Sequence, residues 1–382
     1  MITEALLWLL LLFSVAALLV LLYWTLHGLA CWLPRIWQGL QKQPLRLQVV
    51  SRQDVSDDLF LLQLKAAGWR RYTGSLPAFR PGQYLTLLLP AAQQAQLKRA
   101  YSLAAWQARP FSYQLGIKRE PGGRGSGWLH AEVQPGVRLL AQRPQGHFVL
   151  RHAEQPVVLL AGGIGITPLR AMLHRLQRLT RPPRTLLCYG ARNQRSLLYW
   201  QEFELLTKTT DWFEFYPLLS QPDACWHGLT GRLSASQVLA WLGEDAQQAH
   251  YYCCASNAMM DEIFQGLTAA GIPGERLHRE AFAVAANLDQ QPYPVSVQGH
   301  TYEFSGQSSL LHALEAWNLP VEGDCRAGDC GLCAMRLQQG QVRWLLPDVA
   351  AKVPPQQILC CCTVPASPIA LAFCSGSPGG NG

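Results

Sequence analysis

The chain has 382 residues, of which 15% are charged, with a net charge of +7, 13 Trp and 12 Cys. That length has room for two or three cores, and the excess basic residues are not gathered into a Lys/Arg tract, so nucleic-acid binding has no support. Low charge together with many tryptophans points toward membrane contact.

Ala5 to Trp24 is a run of 20 residues without a charge, enough to cross a hydrocarbon core of ~30 Å as one helix. Tyr23, Trp24, Trp32 and Trp37 at or beyond its end fit an interfacial aromatic belt. A cleaved signal peptide needs a basic segment and an A-x-A site, and only Glu4 is charged ahead of the run. Arg35, Lys42, Arg46 and Arg52 follow it, so the expectation is a single-pass inner-membrane protein with cytoplasmic catalytic domains. Cys31, Cys188, Cys225, Cys253, Cys254 and Cys374 are scattered, which suits a reducing compartment.

The predicted organisation is multidomain: an anchor helix over 1–33 and a linker over 34–44, followed by three folded parts. Residues 45–152 carry short alternating strands punctuated by Gly and Pro, the pattern of an antiparallel β-barrel. Residues 153–286 alternate strand and helix, as in a doubly wound α/β domain. Val157 to Ala161 reads as a buried parallel strand, and an amphipathic helix is predicted from Pro168 to Leu179. After a linker at 287–292, residues 293–374 give a hairpin, a helix capped by Ser308 or Ser309, and a cysteine-rich loop, a β-grasp-like module. Residues 375–382 form a Gly/Pro/Ser tail, expected to be disordered.

The cysteines carry the strongest chemical signal. Cys325, Cys330 and Cys333 are spaced C-x4-C-x2-C, with Cys360, Cys361 and Cys362 downstream. This is the plant-type ferredoxin spacing for a [2Fe–2S] cluster, whereas zinc sites favour paired C-x2-C units. Gly328 and Gly331 let backbone N–H groups approach the cluster. Leu359-Cys-Cys361-Cys-Thr-Val-Pro365 resembles the ferredoxin frame Leu-x-Cys-x-x-x-Pro. Strand alternation would also turn Cys360 and Cys362 away from Cys361, so Cys361 is the expected fourth ligand among the three.

Three further motifs stand in order. Arg99-Ala-Tyr101-Ser102 ends a barrel strand, where Arg99 can pair with a phosphate, Tyr101 can lie against a planar ring and Ser102 can reach a ring nitrogen. Gly116-Ile117-Lys118 then leads to Gly122-Gly-Arg-Gly125-Ser126-Gly-Trp-Leu129, a glycine turn entering a helix and suited to pyrophosphate. Gly162-Gly163-Ile-Gly165-Ile-Thr167-Pro168 is a second glycine loop after a strand.

Together these resemble the ferredoxin–NADP reductase superfamily, over roughly Leu45 to Cys374. The resemblance implies that R-x-Y-S binds a flavin and that the second loop binds the nicotinamide dinucleotide. Tyr189-Gly-Ala-Arg192 is similar to the family's next strand end, beside the cofactor ribose. Arg279-Glu280-Ala-Phe282 is similar to its closing Glu-x-Phe beside the flavin. The family's Cys-Gly-Pro near the nicotinamide is here Cys254-Ala255-Ser256. The phthalate dioxygenase reductase branch shares the module order but uses FMN with a G-R-G-G-S turn. Gly-Arg-Gly-Ser and Pro144-Gln-Gly146-His-Phe148 fit FAD reductases such as the NADH oxidoreductase of hybrid cluster protein, so FAD is expected. Ser220-Gln221 stands where NADPH-specific relatives have Ser-Arg, which favours NADH and leaves NADPH as the alternative.

The implied function is electron transfer from NADH through FAD and the [2Fe–2S] cluster to a protein acceptor. Ser102 is the expected donor to the flavin, with Cys254 and Glu280 orienting the nicotinamide. The membrane run makes a membrane-bound di-iron desaturase or hydroxylase the expected acceptor. A soluble ring oxygenase, hybrid cluster protein or a redox-sensing role are the alternatives. Glu322, Asp324 and Asp329 near the cluster loop suggest an acidic docking face for a basic partner.

Overall fold

The computed structural model describes residues 43–68, 75–90, 97–120, 123–281, 291–305, 309–323, 326, 328, 330–351 and 353–374. Six strands build the first sheet: β1 (Leu45–Ser56), β2 (Leu59–Ala66), β3 (Tyr84–Leu89), β4 (Leu97–Ser102), β5 (Tyr113–Lys118) and β6 (Arg138–Ala141). Their order is β4-β3-β6-β1-β2-β5, and an isolated antiparallel bridge between Leu103 and Leu115 ties the two ends into a barrel. Every residue of β3 is buried, so it runs through the barrel without an outward polar face. A nine-residue helix, α1 (Arg124–Glu132), starts at the glycine turn after β5.

The second sheet is parallel. It contains β7 (Val157–Gly162), β8 (Thr185–Ala191), β9 (Phe213–Leu219), β10 (Leu229–Thr230), β11 (His250–Cys254) and β12 (Leu277–Glu280). The helices between are α2 (Ile166–Leu176), α3 (Trp200–Thr209), α4 (Ala235–Leu242) and α5 (Asn257–Ala269). Alternation along β7 feeds two cores: Val157, Leu159 and Ala161 face one helical layer, while Val158 and Leu160 face the other. The strand order β10-β9-β8-β7-β11-β12 reverses direction between β7 and β11. A crevice therefore opens at the carboxyl ends of these two strands, where α/β sheets bind ligands. Helix α2 begins at Ile166 rather than at the expected Pro168, because the 3-10 turn Gly163–Gly165 runs directly into it.

The third part has β13 (Tyr293–Val297), β14 (His300–Phe304), α6 (Leu310–Ala316), β15 (Ala334–Gln339), β16 (Val342–Trp344), α7 (Pro347–Ala350), β17 (Gln357–Leu359), β18 (Thr363–Pro365) and β19 (Ile369–Phe373). Its main sheet runs β14-β13-β19-β15-β17. The β13–β14 hairpin turns at Gln298 and Gly299, both with positive φ (51° and 79°), the two-residue turn whose twist matches a hairpin. Ser309 caps α6, its side chain accepting from the His312 N–H at 3.3 Å.

Among the contacts that hold the α/β part against the barrel, two carry charge or titratable groups outside the glycine loops. Arg170 of α2 donates to the Ala104 carbonyl (2.9 Å) and to Gln114 (2.8 Å) in the barrel, and grips Glu202 of α3 at 2.7 Å. Burial alone would raise the Glu202 carboxyl, but the bonds from His174 and Arg170 bring it below its ordinary value. Arg170→Ala leaves several half-buried acceptors without a partner and should lower unfolding stability by about 2–3 kcal/mol, measured as a shift in the urea midpoint at constant slope.

The second contact is a stack of imidazoles at the junction. His152 lies 4.0 Å from His250, and His250 Nδ1 is 3.1 Å from His278 Nε2. The Tyr252 hydroxyl accepts from the Arg151 N–H at 3.1 Å. Burial first, then repulsion from His152 and other neighbouring cations, holds both His250 and His278 down to about 4. The unfolded chain therefore binds more protons than the folded one between about pH 6.5 and 4. Stability should be full above that window and decline as pH falls through it, and His278→Asn should flatten the decline. A urea midpoint that stays level across the window would contradict the assignment.

The expectation of a single-pass inner-membrane protein is corrected here. Among the described residues, no helix is long and apolar enough to cross a membrane. Ala5 to Trp24, on which the expectation rested, lies outside the described residues, as does the expected tail at 375–382.

Candidate functional site

The flavin-side residues gather where β4 meets α1. A Cβ on Gly125 would fall 2.6 Å from Arg99 Cγ, so glycine lets the helix start lie directly on the arginine. Burial, then the charge of Arg326, with a smaller effect of Arg124, lowers Arg99 to about 10. Arg326 Nε is buried and has no hydrogen-bond partner. Arg99 packed on the helix start and Arg124 as its first residue form a donor set that fits the phosphates of a flavin dinucleotide. Burial pushes the Tyr101 phenol well up, so it is un-ionised at neutral pH. The buried Ser126 hydroxyl accepts from the Glu120 N–H at 3.0 Å and holds the glycine turn. Ile117 is fully buried in the barrel and Lys118 is exposed, both in register with β2. Neither Arg326 nor Arg124 was given a role from the sequence: Arg326 stands at an unspecified position of the cysteine motif, and Arg124 inside a turn chosen for its glycines.

The nicotinamide loop sits at the end of β7. A Cβ on Gly165 would fall 1.9 Å from the Cys254 carbonyl oxygen, and one on Gly162 would fall 2.7 Å from Ala255 Cβ. Only glycine at 165 lets the loop seat on the end of β11, and the Ala255 methyl packs over Gly162. Gly163 has φ +55°, and the Thr167 hydroxyl donates to the Ile164 carbonyl at 3.0 Å. Pro168 lies in the first turn of α2, where its missing N–H costs nothing. Gly116 in the barrel faces this loop, since its Cβ would lie 2.7 Å from Ile164 Cδ1. Arg192 is exposed at the end of β8, and its carbonyl accepts from the Gln221 N–H at 2.8 Å, which puts Ser220-Gln221 beside it.

Residues far apart in sequence meet between these two sides. The buried Ser102 hydroxyl donates to Glu280 Oε2 at 3.3 Å. Cys254 and Glu280 are ladder partners on β11 and β12. Burial, then the nearby Glu280 charge, raises the Cys254 thiol far above its ordinary value, so it is neutral and not a nucleophile. Phe282 and Gly122 lie outside the described residues.

A cavity of 1520 Å³ extends from Ser102 and Glu280 to Gly328, Cys330 and Gly331 of the cluster loop. Gly328 and Gly331 both have positive φ (79° and 71°), the tight backbone the loop requires. Cys325, Asp324 and Asp329 lie outside the described residues, while Glu322 ion-pairs with Lys98 of the barrel at 3.4 Å. Residues Cys360–Cys362 form a 3-10 turn, not the strand assumed for their alternation. The Cys361 N–H donates to Cys333 Sγ at 3.4 Å, and Cys361 Sγ is 3.4 Å from Cys362 Sγ. A Cβ on Gly328 would fall 2.9 Å from Cys362 Sγ, so Cys362 also reaches the loop. Among the described residues no group of three or more His, Cys, Asp or Glu side chains is gathered to hold a metal ion, but Cys333, Cys361 and Cys362 approach one another with a backbone N–H aimed at sulfur, the chemistry of an iron–sulfur site.

Family models match this chain in three successive places: an oxidoreductase FAD-binding domain over 46–150, an oxidoreductase NAD-binding domain over 159–265, and a 2Fe-2S iron-sulfur cluster binding domain over 295–366. Phenoxybenzoate dioxygenase subunit beta from Ectopseudomonas oleovorans is 30% identical over 302 residues, covering 78% of this chain and 86% of its own. Vanillate O-demethylase oxidoreductase from Pseudomonas putida is 29% identical over 297 residues, covering 76% and 87%. Among solved structures, phthalate dioxygenase reductase matches with a TM-score of 0.63 and 25% identity, over 86% of this chain and 98% of its own.

The fold and site thus define a flavin- and nicotinamide-dependent oxidoreductase of the ferredoxin reductase type. The chain belongs to the phthalate dioxygenase reductase-type members of the ferredoxin–NADP reductase family, which carry a C-terminal [2Fe–2S] domain. Its cofactors are FAD, a nicotinamide dinucleotide and the cluster.

Proposed function

We propose that this protein is the reductase component of an oxygenase system, drawing electrons from NADH and delivering them to a terminal oxygenase. The observation that carries this is the single cavity shared by Ser102, Glu280 and the cluster loop residue Cys330. The barrel residues would hold FAD, which would supply hydride acceptance from NADH, and the cysteines would hold a cluster suited to passing electrons singly. Ser102 holds its hydroxyl proton toward Glu280 Oε2 and so presents a fixed hydroxyl at the cavity wall. Cys254, kept neutral by burial, shapes the end of β11 without adding charge where the nicotinamide would lie. Arg99, Tyr101, Gly125 and Ser126 are assigned to the flavin, and Gly162, Gly163, Gly165, Thr167, Pro168 and Arg192 to the nicotinamide dinucleotide. Cys325, Cys330, Cys333 and Cys361 are the proposed cluster ligands. Cys361 is preferred to Cys362 for its backbone contact to Cys333.

A membrane di-iron desaturase or hydroxylase as acceptor is set aside. That reading rested on the apolar run, and the relatives above are named as components of a dioxygenase and a demethylase. The test is single-turnover reduction of purified dioxygenase and demethylase oxygenase components by the NADH-reduced protein under anaerobic conditions. The proposal expects reduction of at least one, faster than by reduced free FAD. Failure across the set, with another class of acceptor reduced instead, would overturn it.

A further inference from the structure

Arg170 joins two segments that each bear on a cofactor. It stands two residues past Pro168, the end of the nicotinamide loop, in the helix which that loop opens. Its Nη1 donates to the Ala104 carbonyl at 2.9 Å and to Gln114 Oε1 at 2.8 Å. Ala104 lies two residues past Ser102, which lines the cavity, and its own N–H donates to the Gln114 carbonyl at 2.8 Å. Nε and Nη2 of Arg170 fork onto Glu202 at 2.9 and 2.7 Å. The Tyr199 ring covers the guanidinium at 4.0 Å. Tyr199 takes a left-handed φ of 59°, uncommon for a bulky side chain, and its buried hydroxyl has no hydrogen-bond partner among the described residues. Both features cost free energy, and what they deliver is an aromatic face held against Arg170.

We propose that Arg170 is a positioning residue for hydride transfer, setting the spacing between the strand end that bears Ser102 and the helix start that seats the nicotinamide. Reacting atoms must lie within about 3–3.5 Å, so a bridge fixed at both ends governs the step without touching either cofactor. Arg170 exchanges no proton or electron in that step, in which a hydride passes from dihydronicotinamide to flavin. Glu202 and Tyr199 keep the guanidinium from turning, and His174 Nε2 shares Glu202 at 3.0 Å. Gly116, two positions along β5 from Gln114, closes the same seam by packing on Ile164 and Thr167. The inference rests on the flavin and nicotinamide sites and not on the identity of the electron acceptor, so either can fail without the other.

The test uses the full holoprotein with flavin and cluster loaded. Arg170→Gln should lower the limiting rate of flavin reduction at saturating NADH about 10- to 100-fold, while the half-saturating NADH concentration stays within about twofold. It should also weaken the long-wavelength charge-transfer absorbance that NAD+ gives when stacked on dithionite-reduced flavin, a readout that needs no turnover. Should that variant not retain its cofactors, Arg170→Lys keeps a charge opposite Glu202 but lacks the fork that spans both segments, and carries the same expectation. Arg184→Gln is the control. Arg184 makes a comparable set of bonds, to Glu214, Asp245 and the Trp241 and Leu242 carbonyls, just ahead of β8 and at the opposite end of the sheet from the loops. Its loss should lower the urea midpoint to a similar degree and leave the rate and the absorbance as they were. Wild-type rate and absorbance in the Arg170 variants, a loss confined to NADH affinity, or equal losses in Arg184→Gln would each overturn the proposal.

Discussion

Gly165→Ala should slow reduction of the bound flavin by NADH about 100-fold, the scale expected when reacting groups are misplaced by about 1 Å. The added methyl would fall 1.9 Å from the Cys254 carbonyl oxygen and 2.6 Å from its carbon. Neither neighbour is a flexible side chain. Cys254 is laddered to Ala161 on one side and to Glu280 on the other. The glycine loop must therefore lift away, or β11 must shift and carry Glu280 off Ser102. Both outcomes disturb the nicotinamide side while leaving the flavin and cluster parts in place. Anaerobic stopped-flow separates the steps: transfer to the cluster from chemically reduced flavin should keep its wild-type rate. An unaltered NADH step in this variant would mean the loop does not seat the nicotinamide.

The second large effect is expected at Cys361. Replacing a thiolate ligand is at least as severe as the loss of an outer-shell partner, which already costs about 10- to 100-fold in metal affinity. Cys361→Ser should therefore lose the cluster. It should keep NADH-driven reduction of ferricyanide, which the flavin can perform directly, and lose reduction of cytochrome c, which needs single electrons from the cluster. Cys362→Ser and Cys360→Ser should retain the cluster. Burial, followed by the charge of Cys333, holds the Cys360 thiol protonated in the module core. Retention in Cys361→Ser together with loss in Cys362→Ser would pass the ligand role to Cys362, whose sulfur approaches Gly328.

The parts legible in the sequence were those whose chemistry fixes a local spacing. C-x4-C-x2-C needs no tertiary information, and a glycine loop after Val157–Gly162 declares itself through the buried strand before it. The resemblance to a known family then supplied Glu280 and Cys254. Their meeting with Ser102 is a fact of the fold, since Ser102 and Glu280 stand 178 positions apart. Arg326 was hidden for a related reason: it occupies an unspecified position of the cysteine motif, and its charge acts on Arg99, which belongs to the barrel. The local form of the three adjacent cysteines was not legible, because a 3-10 turn does not alternate faces as the expected strand does. Hydropathy also carried the membrane reading too far, from an apolar run to a location and then to a class of partner.

The measurement that bears most directly on the account is an anaerobic NADH titration of the purified holoprotein, followed by visible absorbance and electron paramagnetic resonance together. If Ser102, Glu280 and Cys330 line one route, NADH should bleach the flavin and then bring up the signal of a reduced [2Fe–2S] cluster. A fully reduced flavin beside a cluster that stays oxidised and silent, although dithionite reduces it, would contradict that route.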